Sequence, residues 1–296
     1  MGDGVKTYIE GFDEIFETKT IPKASTIVVY GPMGSGKTTF VFDFIMKGIE
    51  HGDIGIFATI DEASHNLIRD FSRFKCWDLD KAFKERKLIM IDMVYPRILD
   101  PNKRKEYMLS KVLEGRASLE EFNISGDDEK LIIALAQPSD LIRLMDRENI
   151  VRILGPYVPE IEEHIKKGRI RFSLDSLTSY ITTITREYVS RTSASTATHF
   201  EIEDVLRSQM LALKNRLEQN GITSFMTAEA LSMERTRYGI EEFIARGVIY
   251  LGYDWVGSKR HRYLVVVKMR GRSHSLGKFG FEINPKNGII VYGEMP

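Results

Sequence analysis

Apolar positions along the chain fall into two rhythms. Short runs at Thr26–Tyr30, Ile54–Ile60, Leu88–Met93, Ile170–Leu174 and Thr223–Thr227 are dominated by consecutive apolar residues. That is the habit of strands buried on both faces of a parallel sheet. Between them, Lys37–Glu50, Ser64–Arg73, Pro159–Lys167 and Ile202–Asn220 place apolar residues at helical spacing. Alternation of this kind builds βαβ units, so the pattern predicts an α/β fold with a central, mostly parallel sheet flanked by helices.

After Ala230 the helices stop. Ala245–Tyr250, Arg262–Met269, Phe279–Ile283 and Ile289–Tyr292 read as strands, and Asn284-Pro285-Lys286-Asn287-Gly288 is a hairpin turn signal. This predicts an antiparallel C-terminal extension of the sheet. The interval 95–157 fits neither rhythm. It is highly charged and amphipathic around Ser139–Arg147, and it reads as a mostly helical insertion within a single domain spanning 1–296. Arg191–Thr198 (RTSASTAT) reads as a mobile loop.

Composition narrows the classes. There are 42 basic and 42 acidic side chains among 296 residues, a balance that argues against coating nucleic acid or an anionic membrane by bulk attraction. The one cysteine, Cys76, excludes a disulfide framework and points to a reducing compartment; it reads as a buried structural thiol. The opening MGDGVKTYIEGFDEIF lacks the apolar core of a signal peptide, and no stretch holds eighteen uncharged apolar residues. The expectation is a cytoplasmic protein with no membrane partner. Phe71 and Phe74 read as core, Arg69 and Arg73 as surface.

Residues Gly31 to Thr38, GPMGSGKT, match the phosphate-loop pattern G-x-x-x-x-G-K-S/T in full. A strand leads in and a helix leads out, as the physics requires. Glycines 31, 34 and 36 let backbone N–H groups of the loop, Met33 and Ser35 among them, converge on an oxyanion. The helix N-terminus adds partial positive charge, and Thr39 continues the cradle. Lys37 would reach the β- and γ-phosphates and Thr38 would take a place on Mg²⁺. Asp175, at the end of a buried strand, is the expected acid on that magnesium, and Asp61-Glu62 ends another strand on the same rim. One of these two would orient or deprotonate water, with Glu62 the first choice.

A second cluster raises a separate question. VVVKMRGRSHS, residues 265 to 275, runs three valines into Lys268, Arg270 and Arg272. Strand alternation predicts Val266, Lys268 and Arg270 on one face and Val265, Val267 and Met269 on the other. Two cations so placed can flank one phosphate. A solvated strand end and a groove for single-stranded DNA, formed by Lys259–Arg262, are the other readings of the run.

Taken in order, the phosphate loop, Thr59–Glu62, LDSLTS at 174–179, GITSFMTAE at 221–229, YGIEEFIARGVIYL at 238–251 and KMRGRSH at 268–274 resemble the KaiC-like branch of the RecA-type ATPases. YIEGFDEIF at 8–16 resembles that family's opening, a short segment that packs on a neighbouring subunit. The resemblance covers nearly the whole chain except 95–157. It implies a RecA-like core, Mg-ATP binding and hydrolysis, and ring homo-oligomers, commonly hexamers, with nucleotide between subunits. It also implies that Lys268 and Arg270 reach an adjacent subunit's nucleotide and that His274 contacts ribose or phosphate. One ATPase domain stands where the family's clock protein has two, so a circadian role is not carried over. Regulation of a protein partner, DNA-linked recombination or repair, and transfer of phosphate to a hydroxyl are the purposes left open.

Overall fold

The computed structural model describes residues 4–94, 122–127, 130–135, 137–192, 199–233 and 235–295. Its strands are β1 (Gly4–Val5), β2 (Ile21–Pro22), β3 (Thr26–Gly31), β4 (Ile54–Thr59), β5 (Leu88–Asp92), β6 (Phe122–Asp127), β7 (Lys130–Leu135), β8 (Ile170–Asp175), β9 (Thr223–Ser232), β10 (Arg235–Thr236), β11 (Gly247–Val256), β12 (Lys259–Met269), β13 (Phe279–Asn284) and β14 (Gly288–Glu294). Twelve of them form one sheet in the order β14-β13-β12-β11-β3-β9-β8-β4-β5-β7-β6, with β10 on β9. From β11 through β7 the neighbours are parallel; β12 to β14 extend one edge antiparallel and β6 closes the other. This is the RecA-like architecture with its antiparallel C-terminal extension.

The central strands are apolar throughout because both faces are covered. In β3, Ile27 and Val29 enter one apolar layer while Val28 and Tyr30 enter the other. One layer packs under the helices Leu177–Thr192 and His199–Gln219. The other packs under Lys37–Glu50, Ser64–Phe71 and Leu79–Lys84. The helix Lys37–Glu50 starts where Gly36 takes φ 103° and buries Phe40, Val41, Phe44 and Ile45 at helical spacing. Its Asp43 is buried and accepts from Trp77 Nε1 at 2.7 Å and the Ile289 N–H at 3.0 Å, tying the helix to the β13–β14 hairpin. Burial pushes the Asp43 carboxyl up to about 6 despite those two bonds.

Three expectations change. The described part of 95–157 holds short helices, Asp140–Leu144 and Arg147–Leu154, but also the β6–β7 hairpin, with β7 parallel to β5. In β7 Leu131, Ile133 and Leu135 are buried and alternate with half-buried residues, a period-two signal that the surrounding charge obscured. Residues 95–121 lie outside the described residues, as do 193–198 of the expected mobile loop; Arg191 and Thr192 belong to the helix Leu177–Thr192. Cys76 is half-buried, not buried, and loss of solvent pushes its thiol up to about 11. Phe71 is core and Arg69 and Arg73 are exposed, as read, whereas Phe74 is half-buried and packs against the core from outside.

The opening segment packs against its own chain. Ile9, Phe12, Ile15 and Phe16 are buried in the layer beneath Lys37–Glu50. Arg171, a strand residue only 2% exposed, holds the segment: it donates to the carbonyls of Lys6 and Thr7 and to that of Phe44, and pairs with Asp53 at 2.8 Å. Asp13 accepts from the N–H groups of Thr7 and Tyr8. No helix among the described residues is long and apolar enough to cross a membrane.

Candidate functional site: a phosphate loop at one end of the sheet

The loop 31–38 joins β3 to the helix Lys37–Glu50 at the carboxyl end of the parallel strands, where open α/β sheets bind ligands. Gly34 and Gly36 sit at φ 75° and 103°, left-handed values that let the loop turn its amides inward. At Gly31 a Cβ would stand 2.1 Å from the Leu251 carbonyl oxygen, so only glycine passes between β3 and β11. Ser35 is fully buried and its Oγ has no hydrogen-bond partner among the described residues. Met33 is 86% exposed at the loop tip.

Lys37 Nζ donates to the carbonyls of Gly31 at 2.9 Å and Pro32 at 3.0 Å. Burial lowers its affinity for the proton, and the charges of Asp175 and Glu229 oppose that. The Thr38 hydroxyl donates to Asp175 Oδ2 at 2.7 Å, and Thr227 Oγ1 donates to Asp175 Oδ1. Loss of solvent raises the Asp175 carboxyl above the usual range; the two hydroxyl bonds counter this, Asp61 adds to it and Lys37 lowers it. A buried orphan hydroxyl in the loop, a cationic Nζ and a hydroxyl–carboxylate pair are a donor set that fits a phosphate chain with a magnesium ion.

Asp61 and Glu62 follow β4 on the same rim, and both are exposed. They sit in a bend just past the strand end and make different contacts. Asp61 Oδ2 accepts from Ser176 Oγ at 2.7 Å, which ties it to the Asp175 strand end, while the Glu62 main-chain carbonyl accepts from Thr59 Oγ1 at 2.5 Å. Asp92, at the end of the adjoining β5, accepts from Ser64 N–H at 2.7 Å and so fixes the start of the helix that follows the pair. The loop, Asp175, Asp61 and Glu62 are thus brought together. Missed in the sequence is Glu229, which pairs in register with Gly31, lies in the field of Lys37 and holds Arg237 at 2.6 Å. Its place just past the apolar run Thr223–Ala228, as Asp175 follows Ile170–Leu174, was the available signal.

Lys268, Arg270 and His274 are not at this site. Met269 pairs with Gly247, which pairs with Ile27, and the Arg270 N–H donates to Arg246 beside Thr26. The strand β3 therefore separates them from the chain's own phosphate loop, by about 13 Å at strand rise. His274 bridges to Phe16 and meets its ring edge-on. The expected facing is also corrected. Val248 pairs with Lys268 but Ile249 pairs with Val266, so Val267 is the extra residue of a β-bulge. Val266 and Met269 stay with Leu264 in the layer beneath Lys37–Glu50, and Lys268 turns to the face of Tyr263 and Val265. At the other end of β12, Lys259, Arg260, His261 and Arg262 are all exposed.

A family model described as "ATPase: KaiC" matches residues 5–133 and 127–295. The chain is 26% identical over 295 residues to circadian clock protein KaiC3 of Synechocystis sp., covering 98% of this chain and 46% of that protein. It is 29% identical over 292 residues to the circadian clock oscillator protein KaiC of Synechococcus elongatus, covering 97% and 44%. The chain thus spans about half the length of the curated relatives it matches. Among solved structures, the KaiC-like protein PH0186 from the hyperthermophilic archaeon Pyrococcus horikoshii OT3 is 29% identical with a TM-score of 0.65, covering 98% of this chain and 99% of that one. With an intact phosphate loop on a RecA-like sheet and a family match running nearly end to end, the chain belongs to the KaiC family of ATPases.

Proposed function

We propose that the chain binds Mg-ATP at Gly31–Thr39 and hydrolyses it, with each nucleotide lying between subunits of a homo-oligomeric ring, hexameric by family resemblance, and that nucleotide state regulates a protein partner. The observation that carries the reading is the Thr38–Asp175 pair at 2.7 Å beneath a complete phosphate loop. Phosphate oxygens would replace the Gly31 and Pro32 carbonyls as acceptors for Lys37. Thr38 and Asp175 would hold magnesium, which when bound neutralises charge on the phosphate chain. Asp61 is engaged by Ser176, so Glu62 is the carboxylate left to orient water. Lys268 and Arg270 stand at the end of the sheet away from the loop, which supports a role toward a second subunit's phosphates, with His274 nearby.

Magnesium-dependent retention of labelled ATP, followed by solution mass with and without nucleotide, tests this. Wild type is expected to hold ATP and assemble, and Lys37→Ala to lose the bound nucleotide. Wild type without bound nucleotide sinks the reading; wild type that binds but stays monomeric sinks the intersubunit part. A second reading, contact with single-stranded DNA, is favoured by the four exposed residues Lys259–Arg262 beside Trp255, itself 69% exposed, and by Arg260 lying 3.1 Å over the Tyr253 ring. Hydrolysis unchanged by oligonucleotide at low salt removes it.

A further inference from the structure

The segment between β10 and β11 contains a hydrogen-bond cluster whose hydrogens must be counted. Thr236 Oγ1 lies 2.7 Å from Glu241 Oε2 and 2.6 Å from Glu242 Oε2. The Thr236 N–H donates to Glu242 Oε1 at 2.7 Å, and Thr236 Oγ1 accepts from the Gly239 N–H at 3.2 Å. A hydroxyl has one hydrogen, so it can donate to only one of two carboxylates. The other contact requires a hydrogen from the carboxyl itself.

Burial says which. Glu241 is 0% exposed; among the described residues its Oε1 has no partner, while its Oε2 also accepts from the Ile240 N–H at 3.1 Å, whereas Glu242 is half-buried with both oxygens engaged. Glu241 lines a mostly apolar void with Val28, Leu177, Met210, Leu213 and Met226, and a buried unpartnered oxygen there is tolerable on a neutral acid and costly on an anion. Glu241 therefore donates from Oε2 to Thr236 Oγ1, which donates to Glu242 Oε2. Burial raises the Glu241 carboxyl, in the direction this chain of bonds needs.

The cluster holds something. The main-chain carbonyl of Glu242 accepts from Lys268 Nζ, and Phe243, 72% exposed, is next in the chain. We propose that Glu241 is a positioning residue for Lys268: the Thr236–Glu241–Glu242 cluster, keeping one carboxylic hydrogen, fixes the carbonyl that aims the Lys268 ammonium at the cationic end of the sheet. This rests on the reading that the same end completes a second copy's nucleotide site.

The charged groups that face Glu241 are few. Glu242 comes from its own segment, and Lys214 of the helix His199–Gln219 lines the void but is paired with Glu218 at 2.6 Å. Thr26 and Val28 of β3, Met226 of β9 and Leu177 bring no charge, and Lys268 of β12 is one carbonyl away. Ionising Glu241 leaves two carboxylates sharing the single Thr236 hydroxyl hydrogen, so one bond of the cluster is lost and hydrolysis should fall as pH rises through that ionisation, while Glu241→Gln has no proton to lose.

Steady-state hydrolysis against pH in Thr236→Val, Glu241→Gln and Lys268→Ala tests the proposal, with Mg-ATP binding as the check that each variant is folded. Thr236→Val keeps shape but loses the bridging hydrogen; it should lower kcat roughly three- to tenfold with KM unchanged. Glu241→Gln should keep its rate at neutral pH and lose the alkaline fall. A Gln variant with the wild-type alkaline limb, or a neutral Thr236→Val where Lys268→Ala slows hydrolysis, overturns the proposal alone. Lys268→Ala with the wild-type rate overturns the intersubunit reading and the proposal with it.

Discussion

At the carboxyl end of the sheet, Lys37, Thr38, Asp175, Asp61 and Glu62 converge from three strand ends of one chain. At the opposite end, Lys268 and Arg270 stand about 13 Å away along the strands, beside Arg246 and the exposed Phe243. The first end makes chemical sense in a single copy. The second has Arg270 and Arg246 lining a cleft of about 550 Å³ with Arg207 and the Lys214–Glu218 pair, away from the phosphate loop. On the proposed reading the contrast is that of a split site, its binding half folded locally and its charge-stabilising half offered to a second copy.

The sharpest way to break that contrast is Arg270→Ala. On the split-site reading it lowers hydrolysis by roughly 10³-fold or more while leaving ATP binding to the loop intact. Mixing it with Lys37→Ala recovers part of the rate, since each supplies the half the other lacks. A mixture as inactive as its parts, with assembly intact, makes the two ends unrelated. Glu62→Gln comes next. It should cost on the order of 10²–10⁴ in rate with binding retained, and Asp61→Asn less, because Asp61 is already committed to Ser176. Equal losses would remove the division of labour between them.

Two further variants ask whether the ends depend on the scaffold between them. Arg171→Ala leaves Asp53 without its buried partner and frees the carbonyls of Lys6 and Thr7, so it should destabilise the fold by about 3–5 kcal/mol in denaturant titration. A near-neutral result would mean the opening segment is held by its buried phenylalanines alone. The smallest effect concerns pH. Asp43 is raised from 3.8 to about 6 in the folded state, so over that interval the folded chain binds more protons than the unfolded one. Its contribution therefore weakens stability as pH rises from 4 to 6, by about 3 kcal/mol in all. Asp43→Asn should remove that slope from the melting temperature measured across the same range; an identical slope in both proteins counts against it.

Much of the phosphate-loop end was legible because its information is local. Strand, glycine loop and helix are contiguous, and Asp175 and Asp61 each terminate an apolar run. The parts that escaped depend on contrast or distance. Three successive valines carry no alternation from which to read a register, so the bulge at Val267 left no trace. The β6–β7 hairpin was hidden by charge around a short alternating run. Arg171 looked like one polar residue in a buried strand, and only the fold shows that it grips residues some 160 positions earlier. Glu229 follows an apolar run as Asp175 does but lacks a motif to draw the eye.

The bulge at Val267 carries one more consequence. Parity in a strand is binary, and the surplus residue already absorbs one unit of length. A chain with two valines at 265–267 would alternate regularly and leave Lys268 and Met269 turned as they are now. A chain with four would need a second kink or would send the ammonium into the oily layer beside Ile249 and Leu264. Direction at this edge is set by how many residues precede the lysine, not by which ones, so shortening the run is tolerated and lengthening it is not.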